Sequence, residues 1–133
     1  MIVVSHVGGD RLRIKVRSNE VFTDQPVAEG GDDLAPTPTE LFVSSLGACV
    51  AFYAERFLRR HGMSTQVLEV ACDYRWAENP HRVGEIDVSV SAPGLSPARR
   101  EAFVRVIAHC TVHNSLEVPP SVSLRVAERI GVA

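Results

Sequence analysis

The chain has 133 residues, of which 45% are hydrophobic and 23% are charged, and its formal net charge is −2. This length and composition fit one globular domain, residues 1–133, and leave little room for a second. The small negative charge and the scattered arginines provide no basic surface for nucleic acid, so nucleic acid is not an expected partner.

The first part of the chain predicts a β-sheet. Residues 2–7 and 11–17 are two predicted strands joined by a Gly-Gly-Asp turn, because apolar and basic residues alternate along the second. Residues 20–24 add a short strand. The prolines and glycines of residues 25–38 then predict a loop that contains no helix.

A long helix is predicted to begin at Thr37 and to end at His61. Thr37 can cap the free amides, Pro38 suits the first turn, and Glu40 completes a capping-box spacing. Almost every position from Leu41 to Phe52 is apolar or small, so the helix should be enclosed on nearly all sides. One small domain has difficulty enclosing such a helix, which favours a homodimer.

The sequence predicts neither a membrane span nor a secretory signal. The longest apolar stretch, Leu41 to Ala54, is interrupted by serine and glycine and is shorter than the roughly 20 residues that a span needs. It predicts a buried helix of a soluble protein. The first ten residues lack the basic start and long apolar core of a signal peptide. We therefore expect a cytoplasmic protein with no membrane partner.

The second half of the chain predicts three more strands. Residues 65–76 and 83–92 form a hairpin, and alternating apolar residues predict a last strand over 121–128. A second helix lies between the hairpin and this strand. The order βββ-α-ββ-α-β predicts an α+β fold in which helices lie on antiparallel sheets.

The three cysteines lie within predicted helices and strands. Cys49 is in the middle of the long helix, and Cys72 is on a strand. On the second helix Phe103, Ile107 and Cys110 share one stripe, so Cys110 should face inward near its end. The spacing predicts neither a disulfide scaffold nor a zinc site. The simplest interpretation is that the cysteines are small core residues. For Cys72 we adopt this interpretation.

Several short segments of the chain form a distinctive set. They are Asp24-Gln25-Pro26, Gly30-Gly31-Asp32, Thr37-Pro38-Thr39-Glu40-Leu41-Phe42, Leu46-Gly47-Ala48-Cys49 and His109-Cys110-Thr111-Val112-His113-Asn114-Ser115-Leu116, followed by Pro119-Pro120. These segments resemble proteins of the OsmC/Ohr family, and more closely its broader OsmC-like branch. The resemblance covers essentially the whole chain, with both cysteine segments in the family's order.

The resemblance implies an intertwined homodimer with two sites at the subunit interface. It also implies a cysteine-based peroxidase that reduces organic hydroperoxides in oxidative-stress defence. Cys49 would attack the O–O bond and become a sulfenic acid, and Cys110 would condense with it to a disulfide. An external dithiol would reduce that disulfide. The resemblance implies no cofactor and no metal.

The family further uses an arginine from the N-terminal strands, steadied by a glutamate. Arg11 is the better match and Arg13 is the alternative, although either could equally be a solvated residue on the polar face of a strand. In the organic-hydroperoxide-resistance branch the glutamate directly follows the proline, where this chain has Thr39. Glu40, one residue later, matches the glutamate of the broader OsmC-like branch instead.

Two other functions stay open. The chain could be a non-enzymatic OsmC-like module that binds a small apolar ligand at the dimer interface, and Thr39 favours this alternative. A redox sensor ranks third, because the sequence contains no DNA-binding element. His109 and His113 have a spacing that can bind a metal from one helix face, but such residues more often pair with carbonyls at a helix end.

Overall fold

The computed structural model describes residues 1–130, and in that range it contains two antiparallel sheets and three α-helices. The α+β class and the antiparallel pairing predicted from the sequence are confirmed. Single 3-10 turns occur in two loops. The elements are β1 (Ile2–Gly8), β2 (Arg11–Val16), β3 (Asn19–Thr23), α1 (Pro38–Arg60), β4 (Glu69–Ala77), β5 (Arg82–Ser91), α2 (Arg100–Ile107) and α3 (Thr111–Glu117), with the 3-10 turns at Val27–Glu29 and Pro97–Arg99.

The first sheet, β1-β2-β3, has one apolar face. Val4 pairs with Ile14, and Ile14 pairs in turn with Val21, so all three side chains lie on the same side of the sheet. Val4 and Val21 are nevertheless exposed. In residues 1–130 this sheet makes no extended contact with any later helix or strand. An apolar sheet face is therefore left uncovered by the chain itself.

Helix α1 begins and ends as the sequence predicts. The Glu40 amide donates to Thr37 Oγ1 at 3.1 Å, and the Thr37 amide donates to Glu40 Oε2 at 2.8 Å, which completes the capping box. His61 is the C-cap, and Gly62 follows in the left-handed region with φ of 66°. Only glycine adopts that conformation without steric cost, so the helix stops there.

Helix α1 is the core of the second half of the molecule. Its buried residues pack in two clusters, one formed by Ala54, Phe57 and Leu58 with Phe103 of α2, the other against the β4–β5 hairpin and the start of α3. An 18-residue window of α1 has a mean hydropathy of 1.4, which by length and composition alone would suit a membrane span. Its contacts with two strands and two helices are those of a core helix.

The single chain does not enclose α1 on nearly all sides, and the expectation that a partner subunit completes the enclosure stays a prediction. Phe42 and Phe52, with exposed fractions of 43% and 51%, lie on a face of α1 that nothing in residues 1–130 covers. Ser45 and Ala48 are exposed between them. The exposed face is apolar or small over this length, so it is suited to packing against another surface.

Two local predictions in the second half need correction. Residues 65–68 form a turn and not the start of a strand, because Val67 has a positive φ of 58°. The second helix is also interrupted: α2 ends at Ile107 and α3 begins at Thr111. Cys110 is the N-cap of α3, with extended backbone, and its Sγ accepts from the His113 amide at 3.4 Å. Cys110 is completely buried, so its inward orientation is confirmed even though it is not on α2.

The predicted last strand over 121–128 does not form in this single chain. No strand or helix is assigned to residues 119–130. Val122 is 80% exposed, Leu124 is 95% exposed, and Val126 is fully exposed. A strand needs a neighbouring edge that supplies hydrogen bonds, and this segment pairs with neither sheet. The 25–38 loop also departs slightly from expectation, because it contains the 3-10 turn Val27–Glu29.

Candidate functional site

The fold brings Cys49 of α1 and Cys110 of the α3 N-cap together. Cys110 belongs to a buried cluster with Leu46 and Val50, and Cys49 and Tyr53 pack against that cluster. Both are free thiols, and the two side chains are close enough for Cys49 to influence the ionisation of Cys110. Sixty-one residues of sequence separate them, so α1 and α3 jointly create this thiol pair.

The two thiols differ in access to solvent. Cys110 has no exposed surface, whereas Cys49 is only half-buried. Burial raises the pKa of the Cys110 thiol, and the neighbouring Cys49 raises it further, although the amide hydrogen bond from His113 acts in the opposite direction. Cys110 is therefore protonated at neutral pH, and the more accessible Cys49 is the thiol that a small molecule can reach first.

A second contact attaches the Cys110 segment to α1. The hydroxyls of Tyr53 and Thr111 lie 3.3 Å apart, within hydrogen-bonding distance. Tyr53 follows Cys49 by one helical turn, and Thr111 directly follows Cys110. This contact links the residues adjacent to both thiols.

An apolar cavity of about 310 Å³ lies beside the thiol pair. Leu46 and Val50 of its wall form a buried cluster with Cys110, and Ile107 of the wall packs against that cluster. The remaining wall comes from β5, from Val104 of α2, and from Ala108 and His113, which lie two and three positions from Cys110 in sequence. Such a cavity suits an alkyl or aromatic group better than a small polar molecule. The lining residues are Leu46, Val50, Ile86, Val88, Val90, Val104, Ile107, Ala108 and His113.

Arg11 lies in the first sheet and not beside Cys49 of the same chain. Its Nε is buried and has no hydrogen-bond partner in the described part of the chain. Its positive charge contributes to lowering the pKa of Asp24, the residue after β3. Arg13, the alternative, forms a long exposed ion pair with Glu20, with 3.8 Å between Nη1 and Oε1. Of these two arginines, Arg11 is therefore the one whose side chain has a buried nitrogen without a hydrogen-bond partner.

Asp24 is a buried structural residue that the sequence analysis named within a matching segment but to which it assigned no role. Its carboxylate accepts from the Leu34 amide at 3.1 Å and from the Gln25 amide at 2.8 Å. The bond from Leu34, above all, holds the pKa of Asp24 below its ordinary value, and the charge of Arg11 contributes in the same direction. Asp24 therefore stabilises the loop that connects the first sheet to α1. The available signal was an aspartate at the start of a loop, a common position for side chains that bind backbone amides.

Glu40 caps α1 and does not contact the thiol pair in this chain. Its carboxylate accepts from the Thr37 amide, as described above, and its side chain also lines a cavity of about 300 Å³. Nine residues, about two and a half turns, separate it from Cys49, so the two lie on opposite sides of the helix. A role for Glu40 in orienting an arginine stays a prediction.

Cys72, the third cysteine, lines the same cavity as Glu40. Cys72 of β4 lies so close to Gly47 that a Cβ at position 47 would be 2.9 Å from its Sγ. Burial raises the pKa of the Cys72 thiol, and the charge of Asp73 raises it further. The position agrees with the interpretation of Cys72 as a packing residue between the sheet and α1.

The two histidines beside Cys110 have different surroundings. His113 Nε2 lies 3.5 Å from Glu117 Oε1, one turn along α3. His109 is exposed, and its carbonyl accepts from the Asn114 side chain. The structure therefore does not show either histidine ring paired with a carbonyl at a helix end, as the sequence analysis expected.

Comparison with known proteins identifies the family. The family model described as "OsmC-like protein" matches residues 30–125, and no curated protein sequence matches the chain. The solved structures include an osmotic stress induced and detoxification response protein from Psychrobacter arcticus, 24% identical, with a TM-score of 0.76 over 86% of this chain and 85% of that one. The organic hydroperoxide resistance protein OsmC from Legionella pneumophila is 18% identical, with a TM-score of 0.60 over 87% and 88%.

A third similar structure is the organic hydroperoxide resistance protein OhrB of Bacillus subtilis, which is 16% identical with a TM-score of 0.61 over 90% of this chain and 92% of that one. At these identities the structural matches establish the fold alone. The family assignment depends on the sequence model, which spans the central helix and both candidate cysteines. The chain belongs to the OsmC-like protein family.

Proposed function

We propose that this protein is a thiol-dependent peroxidase that reduces organic hydroperoxides, with Cys49 as the nucleophile and Cys110 as the resolving thiol. One observation carries the proposal: a half-buried and a fully buried cysteine from two helices have their thiols close together. Family membership supports it, since similar structures include proteins named for resistance to organic hydroperoxides.

The reaction proceeds in three steps. The Cys49 thiolate attacks one peroxide oxygen, the O–O bond breaks, and an alcohol leaves with a proton while Cys49 becomes a sulfenic acid. The Cys110 thiol then attacks the sulfenic sulfur, which releases water and forms the Cys49–Cys110 disulfide. An external dithiol restores both thiols by exchange. The cytoplasm, where such reductants are kept reduced, suits this cycle.

The asymmetry of the thiols suits this division of roles. The accessible Cys49 meets the substrate, while the protonated, enclosed Cys110 is protected from direct oxidation and reacts only with its neighbour. The apolar cavity beside the pair favours substrates with alkyl or aromatic groups.

The proposed site needs a cation near Cys49, and Arg11 of the same chain does not lie there. A thiolate in an apolar environment is stabilised by a positive neighbour, and Arg11 lies in a sheet that makes no extended contact with α1. We therefore propose a homodimer in which Arg11 of the partner subunit approaches Cys49. Three uncovered apolar surfaces support it: one face of the first sheet, the Phe42 and Phe52 face of α1, and the C-terminal segment.

The dimer can be tested through the C-terminal segment. We expect the wild-type protein at micromolar concentration to have twice the mass of the chain by light scattering. Leu124→Glu should shift the protein to monomer, because a charge replaces an apolar side chain that a partner covers. Ser123→Glu is the matched control, since adjacent strand residues face opposite sides, and it should stay dimeric. A wild-type monomer under these conditions would contradict the proposal.

The peroxidase proposal is tested by counting free thiols before and after one equivalent of cumene hydroperoxide. We expect a loss of two thiols per chain, and peptide mapping without reductant should show an intrachain Cys49–Cys110 disulfide. Cys72 should remain free, because it packs against Gly47 and lies outside the thiol pair. If all three thiols remain reduced, the protein is better explained as a module that binds a small apolar ligand.

A further inference from the structure

The segment that contains Cys110 is shaped by hydrogen bonds within itself. The Cys110 sulfur accepts from the His113 amide at 3.4 Å, and the Cys110 carbonyl accepts from the Asn114 amide at 2.9 Å. The His109 carbonyl accepts from the Asn114 side chain at 3.3 Å. All of these bonds join residues that are close in sequence. They fix the conformation of residues 109–114, but they do not fix the position of this segment against α1.

One hydrogen bond connects the segment to α1. The Tyr53 and Thr111 hydroxyls, which we call the hydroxyl pair, lie 3.3 Å apart. In residues 1–130 this is the only hydrogen bond that joins α1 to α2 or α3. Tyr53 follows Cys49 by four residues, so their side chains are neighbours on α1, with Cβ atoms about 5 to 6 Å apart. Thr111 directly follows Cys110, so the hydroxyl pair lies next to both thiols.

Burial does not explain why these two hydroxyls pair. A buried hydroxyl needs a partner within the protein, but the contact between Tyr53 and Thr111 is exposed to solvent, where water can replace either partner. The Tyr53 ring packs against the buried cluster that contains Cys110, and this packing does not require the hydroxyl. Loss of the hydroxyl pair should therefore leave the fold intact and change only how firmly the Cys110 segment is held.

Disulfide formation is sensitive to the position of this segment. A disulfide requires Cα atoms within about 7 Å of each other and a restricted orientation of both Cβ atoms. Cys49 lies in the middle of the 23-residue helix α1, whereas Cys110 precedes the seven-residue helix α3. The Cys110 segment is therefore the one that can shift. Apolar packing is not directional, so a directional hydrogen bond is needed to oppose sliding of the segment along α1.

We propose that Tyr53 and Thr111 are positioning residues that hold Cys110 in the arrangement from which it forms a disulfide with Cys49. The inference rests on the proposed function, because it concerns the step in which the Cys110 thiol attacks the Cys49 sulfenic acid, forms the S–S bond and releases water. The hydroxyl pair neither gains nor loses electrons in this step. Because the hydroxyl pair and the disulfide favour the same arrangement, each stabilises the other by the same factor.

The kinetic test separates peroxide attack from disulfide formation. The reduced protein is mixed with one equivalent of cumene hydroperoxide, and loss of peroxide and appearance of the disulfide are followed by rapid quenching. Tyr53→Phe and Thr111→Val should each slow disulfide appearance about fivefold, equivalent to about 1 kcal/mol, and leave the rate of peroxide loss unchanged. The double variant should be no slower than either single variant, because all three lack the same hydrogen bond.

Two further variants are the controls. Thr111→Ser keeps the hydroxyl and should form the disulfide at the wild-type rate. Ser115→Ala removes a different hydroxyl of α3, which donates to the Thr111 carbonyl at 2.9 Å and makes no hydrogen bond to α1. It should also behave like wild type. Equal slowing by Ser115→Ala would show that any loosening of α3 has this effect, and it would overturn the positioning role.

A second measurement does not depend on peroxidase activity. The protein is equilibrated with reduced and oxidised glutathione, and the fraction of Cys49–Cys110 disulfide gives the effective concentration of one thiol at the other. Tyr53→Phe and Thr111→Val should each lower this concentration about fivefold, whereas Ser115→Ala should not.

The outcomes separate this inference from the peroxidase proposal. If the wild-type protein consumes no hydroperoxide but shows the fivefold difference with glutathione, the peroxidase proposal is wrong and the positioning role is supported. If the wild-type protein consumes hydroperoxide, and Tyr53→Phe and Thr111→Val match it in disulfide formation and in the glutathione equilibrium, the positioning role is wrong and the peroxidase is supported. Absence of the Cys49–Cys110 disulfide with both oxidants would overturn both.

Discussion

Cys49→Ser is expected to reduce hydroperoxide consumption to the uncatalysed rate, while Cys72→Ser retains turnover near that of wild type. The serine hydroxyl does not ionise at neutral pH and cannot attack the O–O bond, and the enclosed, protonated Cys110 cannot replace it. The measurement is the loss of cumene hydroperoxide in the presence of a dithiol reductant.

Cys72 is the informative control because it is a thiol of the same chain that also packs against α1. Its Sγ lies next to Gly47, two positions from Cys49 in the sequence, yet it is not part of the thiol pair. Equal loss of activity in both variants, with unchanged thermal unfolding, would show that Cys49 has no special role.

Cys110→Ser is expected to stop turnover after about one equivalent of peroxide, because no neighbouring thiol captures the sulfenic acid on Cys49. The sulfenic acid should then persist long enough to react with dimedone, and excess hydroperoxide should oxidise it to the irreversible sulfinic acid. Mass spectrometry of the tryptic peptide that contains Cys49 distinguishes these products.

Serine is slightly smaller than cysteine and keeps the capping ability of residue 110, so the variant separates redox chemistry from helix capping. A serine hydroxyl can accept from the His113 amide as the Cys110 sulfur does, and α3 should therefore begin at the same residue. Sustained wild-type turnover in Cys110→Ser would mean that another thiol, or the reductant itself, resolves the intermediate.

The elements with local signals could be predicted from the sequence. The capping box at Thr37 and the glycine after His61 determine both ends of α1 through contacts within a few residues. The alternating residues of β2 likewise predict its pairing, because one face must be apolar. These features depend on neighbouring positions only, so the linear pattern contains the necessary information.

The features that depend on distant partners could not be predicted in this way. A continuous stripe from Phe103 to Cys110 also fits two helices separated by a turn, because an N-cap residue can face inward as a helical one does. No glycine or proline indicates the break after Ile107. The alternation at residues 121–128 predicts a strand, but not which edge supplies its hydrogen bonds, and in this chain the segment pairs with neither sheet.

Only part of the candidate site could be predicted, because the rest depends on residues that are distant in sequence or in another chain. The resemblance named Cys49 and Cys110, and the fold places them together. It also named Arg11 and Glu40, which the single chain keeps away from the thiols because one lies in a separate sheet and the other on the far side of α1. A second chain would have to bring these residues to the thiols. The sequence pattern of one chain does not show how two chains pack together.

The close approach of α1 to β4 has a consequence for sequence divergence. Because a methyl group at position 47 would be 2.9 Å from the Cys72 sulfur, the two positions cannot enlarge independently. The next atom that such a methyl group would meet, Val70 Cγ1, is 3.9 Å away, an ordinary contact. Alanine at 47 thus becomes acceptable once residue 72 is shortened to alanine. We therefore expect substitutions at these two positions to occur as correlated pairs among relatives, because both residues occupy the same gap between helix and strand.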